Sequence, residues 1–146
     1  MPDNKEDAYY FLGKALHFMQ DLWNPYHTSS MVHYINPEDD SGFAHDSDHS
    51  DYEEWANEAI GQNRRSFTET NITFNWTGSI TELGLSAATE TNIPFGDARW
   101  EWHEGANALA PDYWQLNRNV NDLKSYIKKS QRDSAIVLYM FWQSVK

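Results

Sequence analysis

The sequence predicts an all-α fold, a compact multi-helix domain built around a central helix that carries its chemically active side chains. Apolar residues recur at three- and four-residue steps near both ends of the chain, the spacing of one helix face. Proline and glycine punctuate the segments between them. A length of 146 residues with 15% aromatic side chains can bury a real core in one domain, residues 1–146.

The first helix is expected over residues 7–24, with Asp3 and Glu6 spaced as a capping box ahead of it. Tyr9, Leu12, Leu16, Met19 and Trp23 mark its apolar stripe, and Phe11, Ala15, Phe18 and Leu22 widen it. A helix so apolar all round is expected at the centre of the fold. Pro25 should stop it, because proline lacks the N–H donor and disfavours helix before it. Residues 28–46 read as loop, with Pro37 and Gly42 among small and acidic residues. A second helix is expected over residues 48–67, with Ser50 and Glu53 at capping-box spacing and Tyr52, Trp55, Ala56, Ala59 and Ile60 inward. Residues 68–78 read as irregular, with 72–76 a candidate extended piece. Short helices follow over 79–91 and 97–109, separated by Pro94 and Gly96, with Pro111 after them. From residue 112 onward Leu116, Val120, Leu123, Ile127, Ile136, Leu138, Tyr139 and Trp142 predict one long helix, or two with a break near Ser130.

The formal charge of -11 argues against a partner held through nucleic-acid phosphates, which needs a basic face. It equally disfavours electrostatic docking on an anionic membrane. No apolar run reaches the about 20 residues of a transmembrane helix, and the first six residues do not read as a signal peptide. Asn71-Ile72-Thr73 and Asn75-Trp76-Thr77 match the glycosylation acceptor pattern, which is short enough to recur by chance. With no cysteine, any metal must be held by His, Asp, Glu or oxygen donors of backbone and water.

Such donors are concentrated. Glu38, Asp39, Asp40, Asp46, Asp48, Asp51, Glu53 and Glu54 lie close together, with His27, His33, His45 and His49 in or beside the run. The plain reading is a solvated acidic loop. The sharper one rests on spacing. His17 and Asp21 are i, i+4 on the first helix, and His49 and Glu53 are i, i+4 on the second, so each pair shares a helix face. Either pair alone is an ordinary surface or capping contact. A helix can nevertheless present two of the donors that zinc needs at about 2.0–2.2 Å, and His27, just past the proline, can supply a third. Three protein ligands leave a position open for water, as in catalytic zinc sites. If the first helix is buried, Asp21 needs a partner, because an unpaired buried carboxylate is costly. Calcium in the acidic loop, through Asp39, Asp40, Asp46 and Asp48, is a weaker alternative, since the spacing does not fit an EF-hand. His103 reads as a structural or surface histidine, and the many Trp and Tyr residues as core rather than a base-stacking platform.

These residues carry a resemblance. Phe11-Leu12-Gly13-Lys14-Ala15-Leu16-His17-Phe18-Met19-Gln20-Asp21, then Asn24-Pro25-Tyr26-His27, then His49-Ser50-Asp51-Tyr52-Glu53, resembles the zinc-dependent phospholipase C family. The pattern is LG-x-x-LH-x-x-x-D, P-x-H and H-x-x-[YF]-E, within residues 9–60. It implies a mostly helical fold around up to three zinc ions that hydrolyses phosphodiesters, an architecture shared with fungal single-strand-specific zinc nucleases. By position, His27, His49 and Glu53 would hold one zinc, while His17 and Asp21 would serve a neighbouring pair, Asp21 bridging. The family's remaining ligands lie upstream of the LH-x-x-x-D helix and have no counterpart in this chain, which resembles the carboxy-terminal part. One site is therefore complete and two are at best half-built, a partner chain being one candidate source of the missing ligands. The family also suggests a secreted or extracellular setting.

The reaction so implied is metal-assisted hydrolysis of a phosphodiester, a phospholipid being one candidate, with zinc polarising a phosphoryl oxygen and acidifying a bound water. The family's usual base is an upstream Asp, leaving the general base of this chain unassigned, with His45, Asp46 and Asp48 as substitutes. The alternative is a zinc-binding helical domain without autonomous catalysis, either a truncated family member or a module in which one zinc serves folding.

Overall fold

The computed structural model describes residues 5–29, 46–93, 100–107 and 110–146, and for residues 46–50, 100–107 and 110–115 it describes the backbone alone. The fold is helical, as expected. Five α-helices appear among the described residues: α1 (Lys5–Asp21), α2 (Pro25–Thr28), α3 (Asp46–Gln62), α4 (Ile80–Thr91) and α5 (Val120–Ser144). A 3-10 turn, Arg64–Phe67, follows α3. The expected capping residue Asp3, the loop residues 30–45, and Pro94 and Gly96 lie outside the described residues.

Helix α5 runs unbroken through Ser130 and sets the frame. Asn119 caps it by accepting from the Asn121 N–H at 2.9 Å. Helix α1 lies antiparallel to it: Tyr9 meets Phe141 near one end, with ring centroids 5.9 Å apart, and just beyond α1 Trp23 meets Tyr126 at 6.3 Å. Between these ends Met19 packs with Leu83, Ile136 and Val137, flanked by Leu12, Leu16 and Met140. The indole N–H of Trp23 donates to Asp133 Oδ2 at 3.0 Å, which gives a carboxylate only 1% exposed a local partner. Its other oxygen accepts from Arg132 Nε at 2.8 Å. Both contacts are needed, because an unpaired charge at that depth is strongly unfavourable.

Helix α4 begins at a full capping box. Ser79 Oγ accepts from the Glu82 N–H at 3.1 Å, and the Ser79 N–H donates to Glu82 Oε2 at 2.7 Å. Its other end is held by the buried Thr91, whose hydroxyl reaches the Leu22 carbonyl at 2.6 Å and accepts from Thr28 Oγ1 at 2.9 Å. The end of α4 is thereby tied to the turn after α1 and to α2.

Five expectations are corrected. Helix α1 is not central: Tyr9, Tyr10, Phe11 and Phe18 are more than half exposed, and among them the widening residues Phe11 and Phe18 point away from the core. The narrower stripe Leu12, Leu16 and Met19 forms the packed face toward α4 and α5, since successive helical residues rotate by about 100°. Second, Pro25 opens α2 instead of merely ending α1, which stops at Asp21. Its missing N–H costs nothing at the first helical position. Third, α3 starts at Asp46, so Ser50 lies inside the helix and is no cap. Fourth, the helix expected over residues 97–109 and the helical start at residue 112 are replaced by two antiparallel strands, β1 (Trp100–Asn107) and β2 (Ala110–Leu116). Trp102 stands opposite Trp114 and His103 opposite Tyr113 in their register. The alternation Trp100-Glu101-Trp102-His103 has a period of two, and aromatic residues favour the pleated surface. The candidate extended piece at 72–76 is not a strand.

Candidate metal centre

The described part of the centre is assembled by two tyrosines. Tyr26 of α2 and Tyr52 of α3 are both buried, with ring centroids 5.2 Å apart, and pack with Ile93 and Leu116. The Tyr26 hydroxyl accepts from the Leu116 N–H at 3.3 Å, anchoring α2 to the end of β2. Burial, followed by the neighbouring Tyr126, Tyr26 and Asp122, pushes the Tyr52 phenol well above its ordinary pKa. It therefore stays protonated across the neutral range.

The next residue after each tyrosine is a candidate ligand. His27 Nε2 lies 3.9 Å from Glu53 Oε1. An exposed pair of this kind is worth only about 0.2–1 kcal/mol, and Glu53 is 54% exposed. The buried tyrosine contact, not the ion pair, is what holds α2 against α3. Asn24 adds a third contact: its Nδ2 donates to Glu53 Oε1 at 3.2 Å, across twenty-nine residues of sequence. The Asn24 Oδ1 simultaneously caps α2 by accepting from the Tyr26 N–H at 3.1 Å. One side chain thus caps the helix bearing His27 and holds Oε1 of Glu53, the same oxygen that faces His27.

The separation suits a shared cation. Two donors at about 2.1 Å from a tetrahedral zinc stand about 3.4 Å apart. The 3.9 Å between His27 and Glu53 is within a small side-chain rotation of that value. His49 occupies the position one helical turn before Glu53 on α3, and its side chain lies outside the described residues.

His17 Nε2 and Asp21 Oδ2 are 3.4 Å apart on α1. Here the sequence expectation is corrected: Asp21 is not buried, its side chain being 33% exposed beside a His17 that is 78% exposed. Only one face of α1 packs, so solvent shares the cost of the charge. Among the described residues no three His, Asp or Glu side chains gather into one group, and the two pairs remain separate. Of the remaining candidates, His33, Asp39, Asp40 and His45 lie outside the described residues, as do the side chains of Asp46, Asp48 and His103.

No protein-family model, curated protein or solved structure matches the chain.

Beside the pair lies a cleft of about 230 Å³ between the end of α1, α2, α3 and α5, and both Asn24 and Glu53 line it. Neither Asn24 nor the cleft was anticipated. The dipeptide Asn24-Pro25 carries a readable signal, a cap residue followed by proline at the first helical position. The cleft has no comparable signal, because its walls come from segments far apart in sequence.

Proposed function

We propose that the chain is a zinc-dependent phosphodiester hydrolase of the phospholipase C type, with His27, His49 and Glu53 holding one ion. The observation that carries the proposal is the approach of His27 to Glu53, at 3.9 Å, on two helices locked by buried tyrosines. Neutral imidazole and carboxylate are donors zinc accepts without thiolate. Zinc held there would supply a Lewis acid for a phosphoryl oxygen and an activated water. The chain's own groups orient the site. Asn24 fixes the Glu53 carboxylate from outside, as outer-shell hydrogen bonds do for metal ligands. Tyr26 and Tyr52 exclude water behind it. His17 and Asp21 extend the reading as ligands of a neighbouring position.

The second reading, a zinc-binding domain without autonomous catalysis, is favoured by the separateness of the His17–Asp21 and His27–Glu53 pairs. Elemental analysis of the purified chain and of His49→Ala, with turnover of a chromogenic phosphodiester before and after chelation, decides between them. One zinc per chain, lost in the variant, together with chelator-sensitive turnover, is the expected result. Zinc without turnover leaves the non-catalytic domain, and a chain that takes up no zinc overturns both.

A further inference from the structure

We infer that the cleft beside Glu53 is a subsite for one small uncharged aryl group. As a statement about substrate, this rests on the phosphodiesterase reading: the aryl group would be one arm of the diester. Three buried aromatic residues, Trp23, Tyr52 and Tyr126, line it together with Ile60, Leu123 and Ile127. A ring entering beside them would favour offset or edge-on contact. Among the described residues no lysine or arginine lines the cleft, so none of them compensates an anion there. Among the described lining residues the one charged side chain is Glu53, half exposed, which repels a phosphate unless a cation intervenes.

Size narrows the occupant further. Pockets for drug-sized ligands run to about 300–1,000 Å³, and this cleft, about 230 Å³, is smaller. A volume of that size matches one six-membered ring better than a nucleotide or the two acyl chains of a phospholipid. The uncharged polar groups of Gln20, Asn57 and Ser130 also line it and suit a ring bearing one hydroxyl or ether oxygen. The favoured substrate is therefore an aryl phosphodiester, with the ring in the cleft and the charged phosphorus centre outside, toward His27.

The test uses the full chain, stripped of metal by chelator, titrated with phenol and separately with phenyl phosphate while the indole N–H signals are followed by NMR. Phenol should bind with a dissociation constant on the order of 1 mM, the scale open to so few atoms, and move the Trp23 signal. Phenyl phosphate should bind at least tenfold more weakly until zinc is restored. Ile127→Trp, which fills the cleft, should weaken phenol binding at least tenfold. Should that variant not fold, Ile127→Ala should shift the preference from phenol toward 2-naphthol. Equal binding of the two ligands to the metal-free chain, no effect of phenol on Trp23, or indifference to both Ile127 variants would each overturn the subsite. Because phenol binding is read without zinc, it survives if the metal reading fails, and zinc uptake survives if the subsite fails.

Discussion

Replacing Asn24 separates two functions of one side chain. Its Oδ1 caps α2 through the Tyr26 N–H at 3.1 Å, while its Nδ2 donates to Glu53 Oε1 at 3.2 Å. Asn24→Ala loses both contacts. Loss of the cap should cost about 1 kcal/mol, within a range of about 0.5–2, and so lower the midpoint of thermal unfolding by about 2–4 °C for a domain of this size. Asn24→Ser keeps a good cap, so its metal-free melting should match the wild type within about 1 °C. Serine is too short to reach Glu53, however. If Glu53 is a zinc ligand, losing its outer hydrogen bond should weaken zinc binding by about 10–100-fold, or about 1.4–2.7 kcal/mol. Differential scanning fluorimetry in chelator reads the first effect, and isothermal titration with zinc against a competing chelator reads the second. A serine variant that binds zinc as tightly as the wild type would refute the positioning role. One that melts as low as the alanine variant would refute the assignment of the cap.

Three further outcomes follow from the fold. Asp133→Ala strands the buried Trp23 indole N–H and should destabilise by about 2–3 kcal/mol in urea titration, since Arg132, 41% exposed, stays hydrated. Asp133→Asn retains an acceptor and should cost less than half as much, and equal losses would discount the indole contact. At Glu82, hydrogen bonds from the Ser79 backbone and hydroxyl hold the carboxyl below its ordinary value of 4.5. Its contribution is therefore present above that value and lost as pH falls through the lower folded one. The melting difference between wild type and Glu82→Ala should be constant from pH 7 to 5 and vanish on further acidification, and a difference that persists at pH 2 would count against it. Gly13 lies on the exposed face of α1 with open space where a Cβ would stand. Gly13→Ala should stabilise by about 0.5–1 kcal/mol, and a loss on thermal unfolding would mean that the glycine has a backbone role.

The helices were readable where their signals are local. Residues 79–91 were expected as helix and form α4, shifted by one residue because Ser79 is the cap. The inward side of α3 was also expected, and Tyr52, Trp55, Ala56, Ala59 and Ile60 are its buried or half-buried residues. The hairpin is hard to read because Leu116, the last residue of β2, continues the helical spacing of Val120, Leu123 and Ile127, while only Trp100 and Trp102 carry a period of two. A strand declares itself only once it has a partner, and Trp102 opposite Trp114 is a pairing no single segment contains. The burial of α1 was overestimated for a related reason, since an apolar face is buried only if something packs on it. Phe11 and Phe18 have the composition of core residues and the exposure of a surface.

By itself the sequence determined what depends on a single turn of chain: the helix of residues 79–91, the inward side of α3, and the i, i+4 spacing of His17 with Asp21 and of His49 with Glu53. Backbone geometry alone enforces these, so they need no partner. Which histidine meets which carboxylate across the fold was decided only in three dimensions, by Tyr26 packing on Tyr52 and by Asn24 reaching Glu53. Burial of those rings is a property of the assembled core, where desolvation of large apolar surface outweighs the weak attraction of an exposed ion pair.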